Sequence, residues 1–127
     1  MIRFLIDANI AIYAMAEYGT PLTSRLERCS PGDLAISAIS FAEIAVGSRN
    51  GKGPPPEVLE AFIEAIPIID FDGAAAREYA RLPFKRARFD RLLAAHALSI
   101  GATIITNNEA DFDDVPGLSV ENWTLPL

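Results

Sequence analysis

Four acidic residues stand where a chain could gather them. Asp7 follows the apolar run FLI, Glu43 lies inside FAEIAV, Asp90 opens the expected helix DRLLAAHAL, and Asp111 comes three residues after Asn108 in TNNEADF. Two bare carboxylates 4 Å apart repel by about 4 kcal/mol at an effective dielectric near 20, so a convergent set must hold protons or a cation. Oxygen donors without cysteine or a suitably placed histidine favour a hard ion, Mg²⁺ or Mn²⁺. Each acid also has a purely structural account. Asp7 is placed to N-cap a helix starting at Ala8, and Ser40-Phe41-Ala42-Glu43 matches the S-x-x-E capping box. Asp90 is a plausible N-cap, and Asn108-x-x-Asp111 is a weaker capping box. Asp72, also between a strand and a helix, serves as a control and is assigned capping alone. Against capping as the whole account, Asp7 and Glu43 have apolar neighbours, and buried carboxylates are rare unless paired.

The elements that would carry these acids can be read from the hydrophobic pattern. Short apolar strands are expected at 2–6, 33–37, 66–70 and 102–106, with a fifth at 118–123. Helices are expected at 8–17, 21–28, 40–47, 57–65, 74–82 and 90–100, with a loop at 50–56 (NGKGPPP). The strands are continuous apolar runs and alternate with helices, as in a parallel sheet covered on both faces. No repeat or low-complexity segment interrupts the pattern, so residues 1–127 read as a single α/β domain. In such sheets ligands bind beyond the C-terminal strand ends. Asp7 is there directly, Glu43 one helical turn after the second strand, and Thr106-Asn107-Asn108 closes the fourth.

Composition narrows the class. Half of the 127 residues are hydrophobic and the mean hydropathy is +0.21, which describes a packed globular protein. No apolar run approaches the roughly 18 to 20 residues that span a bilayer, and Asp7 breaks the N-terminal apolar stretch too early for a signal peptide. One cysteine, Cys29, excludes an intrachain disulfide and a cysteine metal cluster; a cytoplasmic location is expected. Net charge is −6, against nonspecific coating of nucleic acid. Six of the eleven basic residues nevertheless fall between Arg77 and Arg91. Such a strip could guide a polyanion, although a solvated helix face explains it as well.

The ordered set LIDANI, SAISFAEIAVG, FDRLLAAHALSIGATIITNNEADF and VPGLSVENW resembles PIN-domain ribonucleases, and is most similar to VapC toxins of bacterial toxin–antitoxin pairs. The resemblance covers nearly the whole chain. It implies a three-layer α/β/α domain around a central, mostly parallel sheet of four or five strands. It also implies a Mg²⁺-dependent endoribonuclease, with Mn²⁺ an alternative, and Asp7, Glu43 and Asp90 as the core metal-site acids. Many relatives carry an acid where Asn108 stands; here Asn108 would be a neutral ligand and Asp111 would supply the missing charge. A VapB-like antitoxin and a homodimer are implied too, with Ile10, Ile12, Tyr13 and Met15 suited either to an interface or to the core.

Around this set, Asn9, Ser40 and Thr106 are candidates for supporting or water contacts, with first-turn bonding, capping and strand-end packing as the structural alternatives. Arg86, Arg88 and Arg91 lie nearest Asp90 and are the candidates for RNA phosphate contacts; Arg91 could instead pair with an acid. His96 lies about 120° around the helix from Asp90 and is expected to be structural. A receiver-type signalling domain is excluded because Asp7 lacks a neighbouring acid and no lysine follows Lys85. D-A-N lacks the second acid of an aspartyl phosphatase, and there is no G-x-G-x-x-G or Walker A run. A catalytically inactive PIN-like module that binds RNA or protein remains as the alternative.

Overall fold

The computed structural model describes residues 1–17, 19–83 and 89–126. Five strands, β1 (Phe4–Ile6), β2 (Leu34–Ser37), β3 (Ile68–Ile69), β4 (Thr103–Ile105) and β5 (Val120–Glu121), form one sheet in the order β3-β2-β1-β4-β5. Every pairing is parallel, so the expected "mostly parallel" sheet is wholly so. β1 sits at the centre, registered Ile6 to Ile36 on one side and Ile6 to Ile105 on the other. All strand C-termini therefore reach one rim.

Alternate residues of the central strands feed two cores, as a period of two requires. Ile6, Ile36 and Ile105 face one way and pack with Ile10, Leu22, Ile44 and Leu59. These come from α1 (Ala8–Ala16), α2 (Pro21–Glu27), α3 (Ala38–Arg49) and α4 (Pro56–Ala65). Leu5, Ala35 and Ile104 face the other way, against Leu93, Ala94 and Ala97. Those belong to α6 (Phe89–Ile100), which packs on α5 (Gly73–Arg81). The result is the expected three-layer α/β/α arrangement. Among the described residues no helix is long and apolar enough to cross a membrane.

Two glycines are required by geometry. Gly101 ends α6 at φ +68°, the left-handed conformation that lets the chain turn at once into β4. Gly53 lies so close to the end of α3 that a Cβ would stand 2.7 Å from the Ser48 nitrogen. That contact seals the 50–56 loop against the helix, helped by the Ser48 hydroxyl, which donates to the Pro54 carbonyl at 2.6 Å. α3 consequently runs on to Arg49 instead of ending at Gly47.

Its start is a second departure. The N-cap is Ser37, whose Oγ accepts from the Ile39 N–H at 3.1 Å, so Ser40 and Glu43 lie inside the helix. The S-x-x-E pattern is therefore no capping box. The hydroxyl that matched the motif is in the first turn, and the cap comes from the last residue of β2.

Candidate functional site

Asp7 leaves β1 at the rim and begins α1. Its carboxylate accepts from the Ile10 N–H at 2.9 Å, so it does cap the helix. Asp72 does the same for α5, accepting from the Ala75 N–H at 3.0 Å, as its capping role requires. The two differ in their surroundings. Burial pushes the Asp7 carboxyl above the usual range; hydrogen bonds from the Thr106 hydroxyl and the Ile10 N–H oppose this, and the charges of Asp90 and Asp111 add to it. Glu43, exposed on α3, is also raised, first by partial desolvation and then by Asp90 and Asp7. Acids from β1, α3, α6 and the turn after β4 thus act on one another across the rim where β1 meets β4. This is where the chain order reverses, the switch point at which parallel α/β sheets bind ligands.

The supporting side chains form a short relay. Fully buried Thr106 follows β4; its Oγ1 accepts from the Asn108 N–H at 3.1 Å while its hydroxyl serves Asp7. The Asn108 amide donates to Asp111 Oδ2 at 2.8 Å and so fixes the acid beside it. Asn108 makes no side-chain cap on the 3-10 turn Glu109–Phe112 that follows, so the second proposed capping box is also absent. Asp90 lies one residue inside α6, in its first turn, and is not the N-cap. A negative charge there still complements the helix dipole. Ser40 is buried, and its hydroxyl has no hydrogen-bond partner; Asn9 is exposed on the first turn of α1.

A hard divalent cation is chemically suited to this donor set: carboxylate oxygens gathered at one rim, with Asp7 and Glu43 raised by burial and by neighbouring acids, and an unpartnered hydroxyl one turn before Glu43 on α3. Among the described residues, however, no three acidic, histidine or cysteine side chains are drawn together tightly enough to hold an ion. The four acids are coupled without being closed into a coordination shell.

The chain belongs to the PIN domain family. Its family model matches residues 4–118. The PIN domain is 31% identical, over 98% of its length and 100% of the relative's, to the tRNA(fMet)-specific endonuclease VapC of Shigella flexneri. It superposes with a TM-score of 0.83 on a chain of the DNA-bound VapBC of Salmonella typhimurium, at 27% identity over 97% of this chain and 99% of that one. VapBC2 of Rickettsia felis, bound to a DNA fragment from its promoter, gives 0.82 at 30% identity over the same shares of the two chains.

Arg86 and Arg88 lie outside the described residues. Arg91 is 8% exposed and turned inward, its guanidinium 3.3 Å from Asp114 Oδ2 and donating to the Pro83 carbonyl at 2.7 Å. It holds α6 to two loops and is not presented to a phosphate. His96 is buried, with Nδ1 2.8 Å from the Ser37 hydroxyl and its ring edge-on to Phe71, a structural position as expected. Of the apolar residues on α1, Ile10 is core, Ile12 and Met15 are partly buried against it, and Tyr13 stays 47% exposed.

A second basic group had no signal in the sequence. Arg3, Arg25 and Arg28 line one cleft with Phe4 and Trp123. They are scattered over 26 positions, so no charge run marks them. Only the fold brings the start of β1 beside the end of α2.

Proposed function

We propose that this PIN domain is a Mg²⁺-dependent endoribonuclease, the toxin of a toxin–antitoxin pair, acting in the cytoplasm as a homodimer and held in check by a VapB-like partner. The observation that carries this is the arrival of acids from distant parts of the chain at the β1/β4 rim, where burial raises the Asp7 and Glu43 carboxyls and the charge of Asp90 adds to both. Support for the substrate and partner comes from the relatives, which include a tRNA endonuclease and toxins in VapBC complexes.

Asp7, Glu43 and Asp90 would hold the cation, with Asp111 as the fourth charge and Asn108 as a neutral neighbour. When bound, a cation of this kind acidifies water and stabilises negative charge on a phosphodiester. The protein's own part is to fix the carboxylates. Thr106 and the Ile10 N–H hold Asp7 from two sides, and Asn108 holds Asp111. Ser40 and Asn9 would contact water at the rim. No covalent intermediate with the chain is required, because a cation-activated water can serve as the nucleophile.

The test is cleavage of total RNA with Mg²⁺ and with EDTA, for wild type, Asp7→Asn and Asp90→Asn. Removing several kcal/mol of charge stabilisation lowers the rate on the order of 10²-fold or more. Chelator and both substitutions should abolish detectable cleavage. Cleavage that survives all three would overturn the metal-nuclease assignment, and RNA binding without any cleavage would identify an inactive PIN-like module instead.

A further inference from the structure

Two cavities border α2 and the segment 121–124. The first, of about 320 Å³, is lined by Tyr13, Pro21, Asn107 and Thr124 among others. The second, of about 450 Å³, is lined by Arg3, Arg25, Arg28 and Trp123. α2 forms one wall of both: Pro21 at its start borders the first, and Arg25 with the C-cap Arg28 borders the second. The segment 121–124 forms the other wall, with Thr124 in the first cavity and Glu121 and Trp123 in the second. The two thus share both walls, and Asn107, between Thr106 and Asn108 of the acidic rim, borders the first.

Each half contains a buried polar atom without a partner. Among the described residues, Asn107 Oδ1 lacks a donor and Arg25 Nε lacks an acceptor. Buried groups of this kind each cost about 1–3 kcal/mol when unpaired, so a partner supplied by a small rearrangement of either side chain would be favourable. The first half also has the exposed ring of Tyr13. In the second half the carboxylates are already engaged: Asp33 faces Arg3 at 3.6 Å, and Glu121 accepts from the Trp123 indole at 2.9 Å. Arg25 lies over the Trp123 ring at 6.0 Å, and neither it nor Arg28 has an ion pair among the described residues. On a chain of net charge −6, two guanidinium groups left without a carboxylate form a local exception.

We propose that the two cavities form one groove that binds the single-stranded RNA flanking the scissile phosphate, with a base on Tyr13, a sugar hydroxyl or base amino group on Asn107, and a backbone phosphate between Arg25 and Arg28. A flat ring, an acceptor and paired guanidinium groups in succession match the parts of an unpaired nucleotide. A peptide of Asp and Glu would engage the arginines but presents no flat ring to stack on Tyr13. The proposal rests on the nuclease assignment for its substrate, but binding can be measured without cleavage.

The experiment is fluorescence anisotropy of a labelled ten-nucleotide single-stranded RNA of mixed sequence, in EDTA, across a range of salt. Wild type is compared with Tyr13→Ala, Asn107→Ala and the double variant Arg25→Gln/Arg28→Gln, each first shown to melt cooperatively. Tyr13→Ala should weaken binding about 5- to 100-fold, the worth of one base stack. The arginine pair should weaken it at least about 10-fold and flatten the salt dependence by about one unit of slope. Arg28→Gln alone, at an exposed position, serves if the double variant does not fold. Wild-type affinity and slope in all variants would overturn the groove, and so would equal competition by polyglutamate of matched charge. RNA bound through these residues but never cleaved would support the groove while removing the nuclease assignment; chelator-sensitive cleavage with unaltered affinity in the variants would do the reverse.

Discussion

Asp7 does two jobs with opposite demands. As a cap it stabilises α1, yet its charge is held in a partly buried place near other acids. Its folded pKa is raised above the ordinary 3.8, so between that value and the folded pKa the native state keeps a proton the unfolded chain has lost. Stability therefore falls as pH rises through this window, and the cost persists at neutral pH. Asn caps helices as well as Asp does. Asp7→Asn should thus melt a few degrees higher than wild type at pH 7, the gap closing toward pH 3. The matched change at the other cap, Asp72→Asn, should leave the melting temperature nearly unmoved. A lower melting point for Asp7→Asn at pH 7 would count against a strained carboxylate. Sequence placed both aspartates after strands and set Asp72 apart as a cap alone; the physical difference, the arrival of Thr106, Asp90 and Asp111 beside Asp7 from distant parts of the chain, needed the fold.

The helices show where local pattern succeeds and where it misleads. α1, α2 and α4 begin and end within a residue of expectation because Asp7, Thr20-Pro21 and Pro56 are strong start signals. The start of α3 departs from the local pattern because SAIS offers two serines, and only the second completes S-x-x-E. Tertiary context chose the first: Ser37 ends β2 and also meets His96 on α6, so one hydroxyl caps α3 and ties two layers together. Burial lowers the His96 pKa below 6.5, with Asp72 and Asp70 pulling weakly the other way. Below pH 6.5 the unfolded chain takes up a proton that the folded ring refuses, so stability is full above that pH and is lost as pH falls toward the folded pKa. Denaturant midpoints at pH 7.5 and pH 5 should separate more for wild type than for His96→Gln, which keeps a polar partner for Ser37 without titrating. Equal separations would mean that the ring is not held neutral.

The layered sheet was legible from continuous apolar strands alternating with helices, since β2 and β4 are buried on both faces. The strand order was not, and the order decides which side chains meet. With β1 in the middle, Asp7 faces Glu43 through β2 on one side and Thr106 through β4 on the other. The arginine cleft was hidden for the same reason. A chain ending after Gly101 would keep α1 to α6 but lose β4 and β5, half of the pairing of the central strand. It should show no cooperative thermal transition and bind no RNA. A sharp transition in that fragment would show that the β1/β4 pairing is dispensable.

That pairing also has a consequence in time. A ribosome makes the chain from its N-terminal end, so Asp7 is available roughly a hundred residues before Thr106, and β1 waits unpaired on one side while most of the domain is synthesised. Contacts so far apart in sequence form late. The carboxylate held by Thr106, and the Asn107 end of the groove, come into being only with the last fifth of the chain. A nascent copy would carry the acids without the scaffold that aims them, giving the cell that makes it an interval in which a binding partner could meet the chain before it can act.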